Sequence, residues 1–278
     1  MNPGRLYIVA TPIGNLEDIT PRALRILSEV DLIAAEDTRH SKFLIDHFNI
    51  KTPLTSYHDH NEEQKAVELI ALLESGRDVA LITDAGTPTV SDPGYRLVRA
   101  AHQEGIPVYS VPGPSAVVAA LAVSGLPNDS FSFHGFFPKK SAETRRLLQR
   151  IRQFGGTHIF FESPHRIKAA LKRIAETLPD AQVCVAREMT KLHEEVVMAS
   201  ATDVAERFEE GDVKGECVIL LHTIPEIPGH TMGSDELRKR VKDEMRRSDL
   251  STRDAVRKVA EELNVPRKKV YSAAIEEK

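Results

Sequence analysis

The sequence predicts an α/β protein of two α/β domains followed by a small helical C-terminal appendage. Three observations predict it. Short apolar runs alternate with amphipathic segments through residues 1–125, a turn-rich break at Gly125-Leu-Pro-Asn-Asp129 precedes a second mixed set over 126–223, and a Pro/Gly-rich stretch over 224–233 separates a basic tail over 234–278.

The elements follow in order. Leu6 to Ala10 reads as a strand. Pro21 to Glu29 reads as a helix, with Thr20 as N-cap and Pro21 at its first position, where a missing N–H costs nothing. Leu32 to Ala35 is a second strand, and Ser41 to Phe48 a helix. Asn61 to Glu74 is a helix that ends at Gly76 and leads into the strand Val79 to Ile82. Then come a helix from Tyr95 to Gln103, a strand from Pro107 to Val111, and a helix from Pro112-Gly-Pro-Ser-Ala116 to Ser124. This alternation implies a mostly parallel sheet covered on both faces, with ligands beyond the carboxyl ends of its strands.

In the second domain, strands are expected at Phe131 to Phe137 and near 157–161, 182–187, 194–199 and 216–222, with helices at 141–153, 164–178 and 201–210. The tail carries three helical patterns. Ser251 and Asp254 are spaced as a capping box for a helix to Leu263, Asn264-Val-Pro266 is a turn, and the last helix holds Arg267, Lys268 and Lys269. The pair looks like a helix-turn-helix unit with a basic second helix, or else a small solvated hairpin.

Composition narrows the class. Hydrophobic residues make up 41% of 278 and are spread through the chain, so it is globular. No apolar run approaches the roughly 20 residues of a membrane span, and the start lacks an apolar signal core, so a cytoplasmic protein is expected. Cys184 and Cys217 sit in apolar runs as small buried hydrophobes, so neither a disulfide nor a metal is expected. The net charge of −4 hides an asymmetry: residues 238–269 hold twelve Lys or Arg against six Asp or Glu.

The loops after the strands carry the chemistry. Residues 83–94, from Thr83-Asp-Ala-Gly-Thr-Pro88 to Ser91-Asp-Pro-Gly94, pack glycine, proline, aspartate and hydroxyl side chains between a strand and a helix. Glycine permits close backbone approach to a ligand and proline fixes the path beforehand. The other reading is a rigid β-to-α connection. After the first strand, Thr11 to Leu16 offers Gly14 alone of a dinucleotide fingerprint, with Glu36 at 22 residues further on, a weak match to nicotinamide-cofactor proteins. No Walker loop is present, which disfavours phosphoryl transfer. His58 and His60 have no third ligand at a readable spacing, so no metal is assigned.

Taken as a set, seven motifs carry a resemblance: Val9-Ala-Thr-Pro-Ile-Gly-Asn-Leu16, Ala35-Glu-Asp-Thr-Arg-His40, Asp84-Ala-Gly-Thr-Pro88 with Ser91-Asp-Pro-Gly94, Pro112-Gly-Pro-Ser115, Phe161-Glu-Ser-Pro-His-Arg166, Ala186-Arg-Glu188 with Thr190-Lys191, and Lys214-Gly-Glu216. In this order they resemble the ribosomal RNA small-subunit 2′-O-methyltransferases of the tetrapyrrole methylase superfamily. The match covers roughly residues 5–223, and the tail is similar to that family's C-terminal appendage. The resemblance implies two α/β domains with S-adenosyl-L-methionine in the cleft between them, a homodimer, and 2′-O-methylation of one cytidine ribose in the decoding region of 16S rRNA.

The resemblance also distributes roles. On the first domain it places Pro12, Asp84, Gly86, Thr87, Val90 and Ser115 around the cofactor. Asp84 would accept from the cofactor's ammonium, though such an aspartate also closes loops by itself. Ser115 would donate to a cofactor oxygen from its helix start. Thr87 stands where the wider superfamily carries Asp in Gly-Asp-Pro, a departure that favours the RNA branch over the porphyrinoid one. On the second domain Phe161, Ala186, Arg187 and Gly215 would flank adenine, and one of Phe160 and Phe161 belongs to the core. Methyl transfer to a hydroxyl is helped by alignment and by proton removal. Glu36 or Asp37 is assigned the proton, and Arg39 an RNA phosphate or the orienting of the carboxylate. The competing reading pairs Asp37 with Arg39 while Thr38 caps a helix. His40, His165, Arg166, Arg187 and Lys191 would add positive charge for RNA, with Arg267, Lys268 and Lys269 docking it from the tail; each also reads as a solvated charge. The rival readings are a tetrapyrrole methyltransferase making corrinoid or sirohaem precursors, and a non-catalytic RNA-binding assembly protein.

Overall fold

The computed structural model describes residues 2–225, 233–263 and 265–275. The expected linker over 224–233 lies mostly outside the described residues, as does Asn264 of the tail turn. Strands β1 (Leu6–Val9), β2 (Leu32–Ala35), β3 (Leu54–Ser56), β4 (Val79–Ile82) and β5 (Val108–Val111) form a parallel sheet in the order β3-β2-β4-β1-β5. Helices α1 (Pro21–Glu29) and α2 (Thr38–His47) cover one face, and α3 (Glu62–Glu74) and α4 (Tyr95–Gln103) the other. Burial on both faces explains why β4 reads as an unbroken apolar run.

Several boundaries follow from side chains the sequence did display. Thr20 accepts from the Ala23 N–H at 3.1 Å, as an N-cap should. Helix α2 begins at Thr38, ahead of the expected Ser41, because the Asp37 carboxylate accepts from the Arg39 N–H at 2.8 Å and caps it. Asn61 precedes α3 without capping it; its side chain instead accepts from the His58 N–H and ties the preceding loop. Strand β3 was not anticipated, since three residues at a sheet edge give no readable alternation.

The second sheet contains β6 (Phe131–Phe136), β7 (Gly156–Glu162), β8 (Gln182–Arg187), β9 (Glu195–Ser200) and β10 (Cys217–Thr223) in the order β6-β7-β10-β8-β9. Only β6 and β7 run parallel; the other pairs are antiparallel. Helices α6 (Ser141–Phe154), α7 (Ile167–Thr177) and α8 (Ala201–Arg207) pack on one face through Leu148, Ile151, Ile174 and Val204. Helix α7 starts at Ile167 rather than at 164, because Ser163 to Arg166 form a turn in which the Ser163 carbonyl accepts from both Arg166 and Ile167 N–H.

Helix α5 (Ala116–Val123) sets the two sheets relative to each other. All eight of its residues are apolar, and Val117, Ala120 and Leu121 pack against Ile159, Cys184, Ala186, Val218 and Leu220 of the second sheet. Ile13 from the loop after β1 and Met189 from the loop after β8 complete this shared core. A helix that leaves one sheet and is buried on the other holds the cleft at a defined width. The tail folds on its own small core, in which α9 (Ser234–Ser248), α10 (Thr252–Glu262) and α11 (Arg267–Ile275) bury Val241, Val256, Val259 and Val270. The Ser251 hydroxyl accepts from the Asp254 N–H at 3.2 Å and donates to its carboxylate at 2.7 Å, so the expected cap forms.

Candidate active site

The carboxyl ends of β1, β2, β4 and β5 point into a cavity of about 360 Å³ whose opposite wall comes from β7, β10 and the loop after β8. Two loops are tied together at its floor. Thr11 and Gly86 exchange backbone hydrogen bonds at 2.8 and 3.1 Å, and the Thr11 hydroxyl donates to the Thr83 carbonyl at 3.0 Å. Gly86 has a φ of +88°, the left-handed region where glycine carries no side-chain penalty. The Thr87 hydroxyl donates to the Pro114 carbonyl at 3.2 Å and joins the loop after β4 to the loop after β5.

The structure brings Glu36, Asp84, Gly86, Thr87, Val90, Ser115 and Phe161 to this cavity. Ser115 stands at the start of α5 with its side chain making no capping bond. Phe161 packs edge-on to Phe133 at 4.9 Å and to Phe136 at 5.8 Å, while its neighbour Phe160 is fully buried. That settles the alternation along β7: odd-numbered Phe161 faces the cleft and Phe160 the core.

Other expected residues lie elsewhere. Pro12 is outside the lining and its neighbour Ile13 takes the place on the wall. Ala186 is fully buried in the core beneath. Arg187 is held away by Glu195 at 2.9 Å and by the Lys214 carbonyl at 3.1 Å. Gly215 also lies outside the lining; its φ is +81°, and its lack of a Cβ leaves room for the Glu188 carboxylate. The residues that follow it, Glu216, Cys217 and Val218, form the wall instead.

The carboxylates at β2 separate into two settings. Glu36 Oε2 accepts from the Thr83 hydroxyl at 2.6 Å on the cavity wall. Asp37 lies outside that lining, capping α2 and pairing with Arg39 at 2.8 Å, and the Arg39 guanidinium with the backbone N–H bonds holds its carboxyl down at about 2. The competing local reading is therefore the one realised, with Asp37 rather than Thr38 as the cap. Asp84 accepts from the Asp37 N–H at 3.2 Å, and burial pushes its carboxyl upward.

The basic residues expected to meet RNA are likewise divided. Arg39 is 91% exposed, and His40 and His165 are exposed too. Arg166 instead donates to the Phe137 carbonyl at 2.6 Å and pairs with the buried Glu162 at 3.0 Å. Lys191 bridges Glu188 at 3.0 Å and Glu216 at 3.2 Å, with its stem lying against Gly14. In the tail, Arg267 pairs with Glu261 at 2.7 Å and Lys268 is exposed. Asp92 and Glu162, which the motifs contained but composition did not single out, also line the cavity.

Electrostatics then says what the cavity suits. Five of its lining residues are carboxylic acids, Glu36, Asp84, Asp92, Glu162 and Glu216, and none of the described lining residues is Lys, Arg or His. Such a wall disfavours a phosphate-bearing nucleotide and favours a ligand with positive charge. Apolar Ile13, Val117, Phe161 and Met189 supply surface for a flat ring.

A two-domain α/β fold with this cleft defines a class. A family model described as Tetrapyrrole (Corrin/Porphyrin) Methylases matches residues 5–205. Relatives named Ribosomal RNA small subunit methyltransferase I match over most of the length. That of Synechocystis sp. is 43% identical over 98% of this chain and 98% of its own. That of Vibrio cholerae is 50% identical over 78% and 76%, and that of Thermotoga maritima 47% identical over 78% and 98%. The chain belongs to the tetrapyrrole methylase family and, within it, to the ribosomal RNA small subunit methyltransferase I family of enzymes. Among solved structures, uroporphyrin-III-C-methyltransferase from Thermus thermophilus aligns with a TM-score of 0.56 at 22% identity over 83% of this chain and 99% of its own. Diphthine synthase aligns with a TM-score of 0.60 at 15% identity over 79% and 90%. At such identities the likeness is one of fold.

Proposed function

We propose that this protein is an S-adenosyl-L-methionine-dependent methyltransferase that modifies the 2′-hydroxyl of a cytidine in the decoding region of 16S rRNA. The observation that carries the reading is the cavity, acidic and half apolar, with a left-handed glycine at its floor. S-adenosyl-L-methionine bears a sulfonium and an ammonium, the charges this wall accommodates, and it supplies the methyl group. Asp84 is placed to accept from the ammonium, Ser115 to donate to the carboxylate, and Phe161 with Phe136 to hold adenine.

The RNA lies across the cleft mouth, with Arg39, His40 and His165 on its phosphates. Arg166, Arg187 and Lys191 keep the second wall in shape, since their charges are already paired. Proton removal falls to a carboxylate of the cavity wall, a role from which Asp37 is withdrawn by its cap and ion pair. A second copy of the chain completes a homodimer, for which Val118 and Val123 of α5 and Met198 of β9 offer exposed apolar surface. No helix among the described residues is long and apolar enough to cross a membrane, in keeping with work on ribosomal subunits in the cytoplasm.

The test is transfer of labelled methyl to small subunits from a strain lacking the enzyme, with nuclease mapping of the product. Label on a cytidine ribose is expected; label on a porphyrinoid and never on RNA would overturn the assignment. Changing Arg267, Lys268 and Lys269 together to Ala is expected to weaken subunit binding and to reduce the slope of log affinity against log salt by about 1 to 3, cofactor affinity being untouched. Binding that is unaltered at low salt would remove the tail from the RNA interface.

A further inference from the structure

The reaction needs a proton acceptor beside the reacting hydroxyl, and the cavity wall holds a carboxyl that no backbone hydrogen bond among the described residues engages. Asp92 sits half-buried in the loop after β4, on the same wall as Glu36 and Asp84. The backbone is forced to put it there. Thr89 and Ser91, neither a glycine, have φ of +75° and +67° on either side of Val90. Left-handed conformations at such residues are strained and collect where function requires them. Gly94 closes the loop against Leu81 and Thr89, where a Cβ would meet Leu81 Cδ2 at 2.6 Å.

Thr83 links this carboxyl to its neighbour. Its hydroxyl has one proton, which it donates to Glu36 Oε2 at an oxygen-to-oxygen distance of 2.6 Å. Asp92 faces the same Thr83 hydroxyl, so the two carboxyls share one neighbour on the cavity wall.

We propose that Asp92 is the catalytic residue that accepts the ribose 2′-hydroxyl proton, with Thr83 and Glu36 as its positioning residues. The inference rests on the reading of the protein as a ribose methyltransferase. As the oxygen–methyl bond forms, the methyl–sulfur bond breaks, sulfur keeps that electron pair, and the hydroxyl proton passes to the Asp92 carboxylate. The Asp92 carboxyl then holds the proton beside Thr83 Oγ1. Burial and the like charges of Glu36, Asp84 and Asp59 push the Asp92 carboxyl up to about 6, more basic than an ordinary aspartate and still ionised at neutral pH.

Methyl transfer to small subunits is measured from pH 5 to 8 for the protein and for Asp92→Asn and Glu36→Gln, with cofactor affinity measured by calorimetry. The wild-type rate is expected to rise through about pH 6 and level above it. Asp92→Asn should lose about 100-fold or more in kcat and lose this limb, with cofactor affinity kept. Glu36→Gln removes a negative neighbour, so the limb should move to lower pH. Asp92→Asn acting at the wild-type rate, or keeping the limb, overturns the proposal, as does a Glu36→Gln limb that stays in place. Should Asp92→Asn fail to bind cofactor, the Glu36→Gln profile decides alone. A wild-type protein that methylates no RNA at all defeats the functional reading itself, an outcome distinct from an active protein indifferent to Asp92.

Discussion

Gly86→Val is expected to abolish methyl transfer by removing cofactor affinity. Its φ of +88° is one a β-branched residue avoids, and the peptide cannot rotate away because its N–H and C=O are both paired with Thr11. A Cβ would stand 3.5 Å from Ile13 Cγ2 and 4.0 Å from the Pro114 carbonyl, so one methyl fits and further carbons enter the cavity. Strain of about 1–3 kcal/mol is carried by the free and the bound protein alike and lowers stability, while affinity falls with the cavity volume that the added carbons occupy. Calorimetry should therefore give a graded series, with Gly86→Ala weakened and Gly86→Val beyond detection. A valine variant that binds the cofactor as the parent does would remove this loop from the site.

The second large effect concerns stability. Arg166→Met should lower the unfolding free energy by about 3 kcal/mol, the low end of the roughly 3–5 found when one partner of a buried pair is removed, since Arg166 keeps 30% of its side-chain surface while Glu162 keeps none. The methionine retains the apolar packing but leaves the Glu162 carboxylate with the Ser163 N–H at 2.7 Å as its backbone partner among the described residues, and frees the Phe137 carbonyl. The pH dependence has a definite sign. Burial already pushes the Glu162 carboxyl above its ordinary value, and loss of the guanidinium pushes it further. A folded-state value above the unfolded one means that the folded protein binds the proton more tightly, so stability falls as pH rises between the two values. The deficit of the variant should be greatest at neutral pH and shrink as Glu162 protonates on acidification. Denaturant unfolding at two pH values checks it; a deficit independent of pH would show that Arg166 acts through the Phe137 carbonyl alone.

Much of this architecture was legible in the chain. Four of the first sheet's strands, β3 excepted, and the helices from Pro21 and Tyr95 were readable because apolar runs, caps and prolines sit within a few residues of the structure they cause. The second domain's strands were readable as elements, but their order was not, because antiparallel pairing of β10 between β7 and β8 depends on residues far apart in sequence. Within the motifs, position in the cleft was half-legible. Phe161 against Phe160 needed the facing of β7, Glu36 against Asp37 needed the turn into α2, and Arg166, Arg187 and Lys191 look free in sequence because their partners Phe137, Glu195 and Glu216 are distant or unremarkable.

What the sequence determined by itself is the succession of elements and the set of ordered motifs that carry the family, both properties of local spacing. Which carboxyls face the cavity was decided only in three dimensions. Glu36, Asp84 and Asp92 lie up to 56 residues apart and gather at one wall because parallel strands β2 and β4 are neighbours and their loops leave on the same edge. Their effect on one another falls with distance through a medium of low polarity, so it exists only once the sheet has brought them together.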